Sequence, residues 1–161
     1  FRHLDATLPK YLLREFGPDA PYGLVYAINP AMIIVLVPVV GAYASHIHPF
    51  TMIVRGSYVA SASVFILVIG ASMWTSVGFV AMLSVGEAVF SPRVYEYSML
   101  LSPLGREGLY TSLASAPMFV AKLFAGGMSG ALLDRYCPKD PPRDCQIMWL
   151  IIGCVTIVSP I

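Results

Sequence analysis

Residues 20–54, APYGLVYAINPAMIIVLVPVVGAYASHIHPFTMIV, contain no Asp, Glu, Lys or Arg. A helix that crosses the hydrocarbon core of a bilayer needs about 20 consecutive, mostly apolar residues. The stretch therefore predicts one membrane-spanning α-helix, at about residues 26–45 and bent near Pro38. A membrane β-strand would alternate polar and apolar residues over about ten positions, and this stretch shows no such alternation.

Similar apolar runs follow along the chain, separated by short polar segments. Residues 56–86 also lack these four residue types, and that run is too long for one ordinary span. We place a break at Trp74-Thr75-Ser76, because a tryptophan suits the membrane interface. The other predicted helices are a leading half-helix at 1–16 bent at Pro9, a fourth helix that ends near Leu101, a fifth at about Leu109–Leu133 and a sixth that begins near Gln146. Loops are expected near residues 17–25, 46–55, 74–76, 102–108 and 134–145.

The composition also indicates a membrane protein. Hydrophobic residues make up 57% of the chain and charged residues 12%, whereas soluble domains carry about 25% charged residues. The formal net charge of +1 excludes a basic surface of the kind that binds nucleic acid. We therefore predict an all-α, multi-pass protein of the plasma membrane or of an organelle membrane, embedded in the lipid bilayer.

The sequence shows no motif for a metal, a cofactor or ATP hydrolysis. No Cys or His spacing fits a zinc site, and His46 and His48 have no further ligands nearby in the sequence. Neither a P-loop nor a His-Glu-x-x-His motif occurs. We expect no cofactor and no enzymatic activity.

Two charged residues fall near the middle of predicted helices, Glu87 in the fourth and Lys122 in the fifth. A charge at the centre of a spanning helix costs about 2.5–3.5 kcal/mol on insertion scales, so it usually faces a partner or a cavity. Ser84, Glu87 and Ser91 recur at steps of three or four and share one helix face. We predict that this face lines a cavity and that Glu87 and Lys122 can pair. The alternatives are structural: a carboxyl that joins two helices, and a lysine that reaches the interface.

Other residues concern the ends of these helices and their packing. Arg93 and Glu96, towards the end of the fourth helix, are expected to reach water at the interface. Gly126 and Gly130 have the Gly-x-x-x-Gly spacing that lets another helix approach closely.

Cys137 and Cys145 flank a polar, proline-rich segment between the fifth and sixth predicted helices. If this loop faces an oxidising compartment, the two cysteines can form a disulfide. Their spacing alone leaves the bond open, because it does not fix the distance between them.

Three stretches carry a resemblance to a known family: YAINPAMIIVLVPVVGAY (26–43), SVGEAVFSPRVYEYS (84–98) and SPLGREGLYTSLASAPMFVAKLFAGGMSG (102–130). Together they resemble the C-terminal six-helix half of the major facilitator superfamily, and within it the proton-dependent oligopeptide transporters. The most specific match is Gly-Glu followed by Ser-Pro at residues 86–92. The resemblance implies half of a twelve-helix transporter, about six helices with the first and last truncated, which makes residues 1–161 a fragment of a longer protein.

The resemblance also implies site residues. Glu87 corresponds to the cavity glutamate that meets the amino terminus of a peptide, Asn29 corresponds to a cavity asparagine, and Ser91 lies one turn from Glu87. We take Lys122 as a further substrate-binding candidate, although the family's eleventh helix is normally uncharged. Glu87 and Asp5 are the candidates for proton coupling.

We therefore expect a secondary active transporter that moves a small polar solute, such as a peptide or an amino-acid-like compound, together with protons. Its other partner is the N-terminal half of the same protein. Two alternatives remain: a membrane scaffold or receptor, and a lipid-modifying membrane enzyme. The resemblance places the Cys137–Cys145 loop outside the cell, whereas the distribution of Lys and Arg among the loops favours the opposite orientation.

Overall fold

The structure is a computed structural model and describes residues 2–139 and 143–158. Every secondary-structure element in this part of the chain is an α-helix, as predicted. Phe1, residues 140–142 and residues 159–161 lie outside the described residues. The helices are α1 (Arg2–Ala6), α2 (Leu8–Phe16), α3 (Tyr22–Tyr43), α4 (Pro49–Ser63), α5 (Ile66–Ile69), α6 (Met73–Leu100), α7 (Glu107–Tyr136) and α8 (Cys145–Val158).

Four segments of the described chain are long and apolar enough to cross a membrane: α3, α4 with α5, α6, and α7. α8 is apolar but shorter, with 14 residues from Cys145 to Val158. The sequence predicted five complete or nearly complete spans after a leading half-helix, and four of these reach full length. By length and composition the chain is a helical membrane protein.

The leading segment is broken at Thr7 instead of being bent at Pro9. Pro9 lies in the first turn of α2, where its missing amide has no helical partner to lose. One side of this leading segment is apolar and buried: Leu4, Leu8, Tyr11 and Leu12 are each 1% exposed. These side chains belong to the main hydrophobic core.

Two predicted helix starts were too late. α3 begins at Tyr22 instead of about residue 26. α4 begins at Pro49, so most of the loop predicted at 46–55 is helical. The start of α4 has a physical cause, because the fixed φ of proline suits the first helical position and the His48 side chain accepts a hydrogen bond from the Phe50 amide at 3.3 Å.

The break predicted at Trp74-Thr75-Ser76 was placed wrongly, because α6 runs through all three residues. The chain turns at Gly70–Ser72 instead. Ser72 caps α6: its hydroxyl accepts from the Trp74 amide at 3.3 Å, and its own amide donates to Thr75 Oγ1 at 3.2 Å. This reciprocal cap ends the preceding turn and starts a new helix.

The closest helix crossing in the described structure joins α4 and α6 through glycines. A Cβ atom added at Gly56 would lie 2.8 Å from the Phe90 amide nitrogen, and one added at Gly86 would lie 2.6 Å from the Ala60 amide nitrogen. The two backbones therefore meet only because no side chain separates them. Around Gly126 and Gly130 of α7, by contrast, no described atom comes within 4 Å of the added Cβ position.

Two arginines bind the carbonyl ends of long helices. Arg93 is buried and its guanidinium donates to the Ala44 carbonyl at the end of α3, at 3.0 Å. Arg14 of α2 donates to the Leu133 and Cys137 carbonyls at the end of α7, at 2.9 and 2.6 Å. A cation at this position compensates the helix dipole and satisfies carbonyls that have no helical donor. The expectation that Arg93 reaches interface water was therefore wrong, although it does pair with Glu96 at 2.5 Å.

Candidate functional site

The centre of the site is a hydrogen-bonded group that joins α3 to α6. The Asn29 amide nitrogen donates to Glu87 Oε2 at 2.8 Å and to Ser84 Oγ at 3.1 Å. Ser84 Oγ in turn donates to the Val80 carbonyl at 2.7 Å, so its single hydrogen is used there and it accepts from Asn29. Asn29 and Ser84 are both buried. The asparagine thus uses both of its amide hydrogens inside the bundle.

Glu87 lies at the midpoint of α6, Met73–Leu100, and is half-buried. The predicted position near mid-membrane follows from this placement if α6 spans the bilayer. Ser91 lies one turn further along α6 and is also half-buried. Asn29 and Glu87, which the family resemblance assigned to one cavity, are in direct contact.

A second contact lies one turn earlier on α3. The Tyr26 hydroxyl donates to Asp5 Oδ1 of α1 at 2.8 Å. Tyr26 and Asn29 are three residues apart and therefore share a face of α3. The structure thus connects α1, α3 and α6 through Asp5, Tyr26, Asn29 and Glu87.

Lys122 lies on α7, exposed, with Nζ 5.2 Å from the centre of the Phe119 ring. It borders a cavity of about 320 Å³ between α1 and α7, together with Asp5, Ala6 and Ala125. The ion pairs found between described side chains, Arg14–Asp134 and Arg93–Glu96, do not include it. The structure therefore places Lys122 across a cavity from Asp5, and the predicted pair with Glu87 is not formed in this conformation.

A separate buried group fixes α1 against α7. The His3 ring nitrogen Nδ1 lies 2.8 Å from Thr7 Oγ1, which donates to Ser129 Oγ at 2.9 Å. All three residues are buried. This group holds the helix that carries Asp5.

Sequence reasoning missed two parts of this arrangement: Tyr26, and the contact of His3 and Thr7 with Ser129. For Tyr26 a signal exists, since a tyrosine one turn before a candidate cavity asparagine lies on the same helix face. For the second group no local signal exists. Thr7 and Ser129 are 122 positions apart in the chain, and only the packing of α1 on α7 brings them together.

Cys137 and Cys145 are joined by a disulfide with Cα atoms 4.8 Å apart. The bond connects the end of α7 to the start of α8 and resolves the alternative that the spacing left open. Glu15 lies beside it, with a carboxylate oxygen 3.4 Å from Cys145 Sγ. These three side chains could otherwise hold a metal ion, but bonded sulfurs are not thiolate ligands.

We expect the disulfide to protect both cysteines from an impermeant thiol reagent applied to intact cells that express the full-length protein with Cys154 replaced by serine. After mild reduction both should react without permeabilising the cells, because structural disulfides form on the oxidising side of a membrane. The measurement is the mass added to the peptides that carry Cys137 and Cys145. Reaction before reduction would contradict the bond, and reaction that needs permeabilised cells would contradict the orientation.

No protein-family model, no curated protein and no solved structure matches this chain. Its function is therefore inferred from its own residues and their geometry.

Proposed function

We propose that the chain is the C-terminal half of a major-facilitator-type secondary transporter that moves a small polar solute, such as a peptide or an amino-acid-like compound, with protons. The observation that supports this most is the contact of Asn29 with Glu87 at the midpoint of α6, at 2.8 Å. In a membrane scaffold or receptor, the same carboxyl group would serve only to join α3 to α6.

The physical argument concerns the cost of the carboxylate. A charged side chain at the centre of a spanning helix costs about 2.5–3.5 kcal/mol on insertion scales, unless polar partners or water offset it. Asn29 and Ser84 supply such partners for Glu87. A carboxyl that accepts from an amide can bind a proton or a cationic part of a solute and return to that amide partner afterwards. That exchange is the basic requirement for coupled transport.

The charges around the neighbouring cavity support a solute that carries both an amino and a carboxylate group. Asp5 and Lys122 border the same space from α1 and α7. The carboxylate is suited to an ammonium group, and the lysine to a carboxylate. In this proposal Glu87, Asn29, Ser91 and Lys122 contact the solute, whereas Glu87 and Asp5 take up protons.

The exposed faces of α3 and α7 support the proposed second half. In each of these helices only 11% of the residues in the apolar window are buried. Both helices also carry residues of the site, so lipid alone would place the site at the protein surface. We propose that the N-terminal half of the same protein covers these faces and closes the cavity.

The test is transport by the full-length protein in lipid vesicles, with alanyl-alanine as the first probe and a panel of dipeptides and amino acids after it. A pH-sensitive dye inside the vesicles reports proton entry. We expect addition of a transported compound to acidify the vesicles when the outside is acidic, and a protonophore to remove solute accumulation. Proton and solute fluxes equal to those of empty vesicles for the whole panel would contradict the proposal.

A further inference from the structure

Two acidic residues on different helices each accept a hydrogen bond from α3, and the two donors lie three positions apart in one turn of that helix. Tyr26 donates to Asp5 of α1 at 2.8 Å, and Asn29 donates to Glu87 of α6 at 2.8 Å. α3 packs extensively against α6 and has few contacts with α2. The bond from the Tyr26 hydroxyl to Asp5 is a polar contact between α3 and the leading segment.

The turn that carries these two donors is also the weak point of α3. Pro30 lies inside the helix and has no amide hydrogen to donate to the carbonyl four residues earlier, which belongs to Tyr26. An interior proline destabilises a helix and commonly bends it. The face of α3 that points away from α6 is mostly exposed within the described bundle, so on that side few packed side chains oppose a bend. Movement at this turn changes the positions of Tyr26 and Asn29 relative to each other.

We propose that Tyr26 is a positioning residue that ties Asp5 to the hinge turn of α3, so that protonation of Asp5 and the contact of Glu87 with Asn29 are linked through one movement of this helix. This inference rests on the proposed function only for the role that the movement of α3 would have in transport. The movement itself requires neither a solute nor transport.

The linkage follows from the strength of the hydrogen bond. A hydrogen bond to a charged group is stronger than one between two neutral groups. When Asp5 takes up a proton, the bond from Tyr26 weakens, and α3 is free to turn at Pro30. Asn29, three residues further along, then changes its position relative to Glu87. Reciprocity requires that a change at Glu87 also alters the affinity of Asp5 for protons.

Other titratable groups surround Asp5 and enter any pH dependence. Asp5 borders two cavities. Lys122 of α7 lines one of them, and Tyr22 of α3 lines the other. Glu87 lies on α6 beyond Asn29, and His3 on α1 is engaged with Thr7. A test must therefore separate Asp5 from these groups by substitution.

The test uses a nitroxide spin label on a cysteine at position 23 of the full-length protein in vesicles, with Cys154 replaced by serine. Gly23 borders a cavity of about 400 Å³ that Asp5, Pro9 and Tyr26 also line, and no described atom outside its own stretch of helix lies within 4 Å of an added Cβ there. The label's mobility is followed as the pH is lowered from about pH 8 to about pH 3, below the reference value of about 3.9 for aspartate in peptides. We expect a transition from an immobilised to a mobile spectrum as the pH falls.

Tyr26→Phe removes only the hydroxyl and should give the mobile spectrum at every pH, with loss of the transition. Asp5→Asn should do the same, because it removes the titrating group and keeps a neutral acceptor. The matched control is Tyr43→Phe at the other end of the same helix, where the side chain is 80% exposed; it should keep the transition. A transition that persists in either Tyr26→Phe or Asp5→Asn overturns the inference, as does its absence from the parent protein. Neither outcome bears on whether the vesicles transport solute, so the two proposals fail separately.

Discussion

Replacing Glu87 by glutamine in the full-length protein is expected to abolish proton-coupled uptake while the protein still folds and inserts into the membrane. Glutamine has nearly the same shape as glutamate, and its side-chain carbonyl can still accept from Asn29, which now lies 2.8 Å from Glu87 Oε2. The contact between α3 and α6 is therefore kept. What is lost is the negative charge and the ability to bind a proton.

The size of the effect follows from the strength of hydrogen bonds to charged groups. Such a bond contributes about 1.5–3 kcal/mol, which corresponds to a roughly 10- to 100-fold weaker hold on a cationic solute group. Loss of proton binding at Glu87 would in addition remove the coupling itself. We therefore expect solute accumulation against a gradient to disappear, and any remaining flux to be independent of pH.

The measurement is uptake and vesicle acidification across a series of external pH values, with equal amounts of each protein. Glu107→Gln is the matched control, because Glu107 lies at the start of α7 with an exposed side chain and no part in the site. This variant should behave like the parent protein. If Glu87→Gln accumulates solute with an unchanged pH profile, Glu87 serves only to join α3 to α6.

The sequence predicted the helical class and most of the helix bodies. Lipid favours helices whose residues carry no charge, so long charge-free runs mark these helices directly. The prediction was wrong at several connections between helices, where single side chains determine the residue at which a helix begins. The break before α6 depends on Ser72 and Thr75, whose side chains each cap the backbone near the other. The sequence prediction rested instead on the preference of tryptophan for a membrane interface. A bend was predicted at Pro9 and a loop at residues 46–55, which include Pro49. Both prolines instead occupy the first turn of a helix, where proline is compatible with helical structure.

For the candidate site, sequence reasoning named Asn29, Ser84 and Glu87 but did not predict all of their contacts. Steps of three or four along α6 placed Glu87 and Ser84 on one face, and the structure joins both to Asn29. The predicted partner of Glu87 was Lys122, chosen because both lie at mid-helix. Depth along a helix does not fix the direction in which a side chain points. Lys122 instead lines a cavity that Asp5 also lines.

The same limitation applies to the charge count that opposed the proposed orientation. Arg14 and Arg143, on the side of the disulfide, are used inside the protein. Arg14 binds the carbonyl end of α7, and Arg143 donates to the Arg14 and Lys139 carbonyls. A rule based on free loop charges does not anticipate arginines that serve as helix caps. The Cys137–Cys145 bond is the stronger indicator, because it requires an oxidising compartment.

Adding one methyl group at the crossing of α4 and α6 should destabilise the protein. In Gly86→Ala the new Cβ would lie 2.6 Å from the Ala60 amide nitrogen and 2.9 Å from its Cα. These are backbone atoms, so the helices must move apart. Overpacking of this kind costs about 1–3 kcal/mol and occasionally more. Since Glu87 is the next residue, the separation would also displace it from Asn29.

The same substitution at Gly78 provides the control. Gly78 is on α6 as well, but a Cβ atom there would meet only Ile66 Cγ2, at an ordinary 3.6 Å. Alanine is about 1 kcal/mol more favourable than glycine inside a helix, so Gly78→Ala should be neutral or stabilising. Unfolding of the purified protein in a denaturing detergent, followed by helical circular dichroism, should give a lower midpoint for Gly86→Ala alone. Equal midpoints for the two variants would show that α4 and α6 do not cross at Gly86, and the position assigned to Glu87 would then be wrong as well.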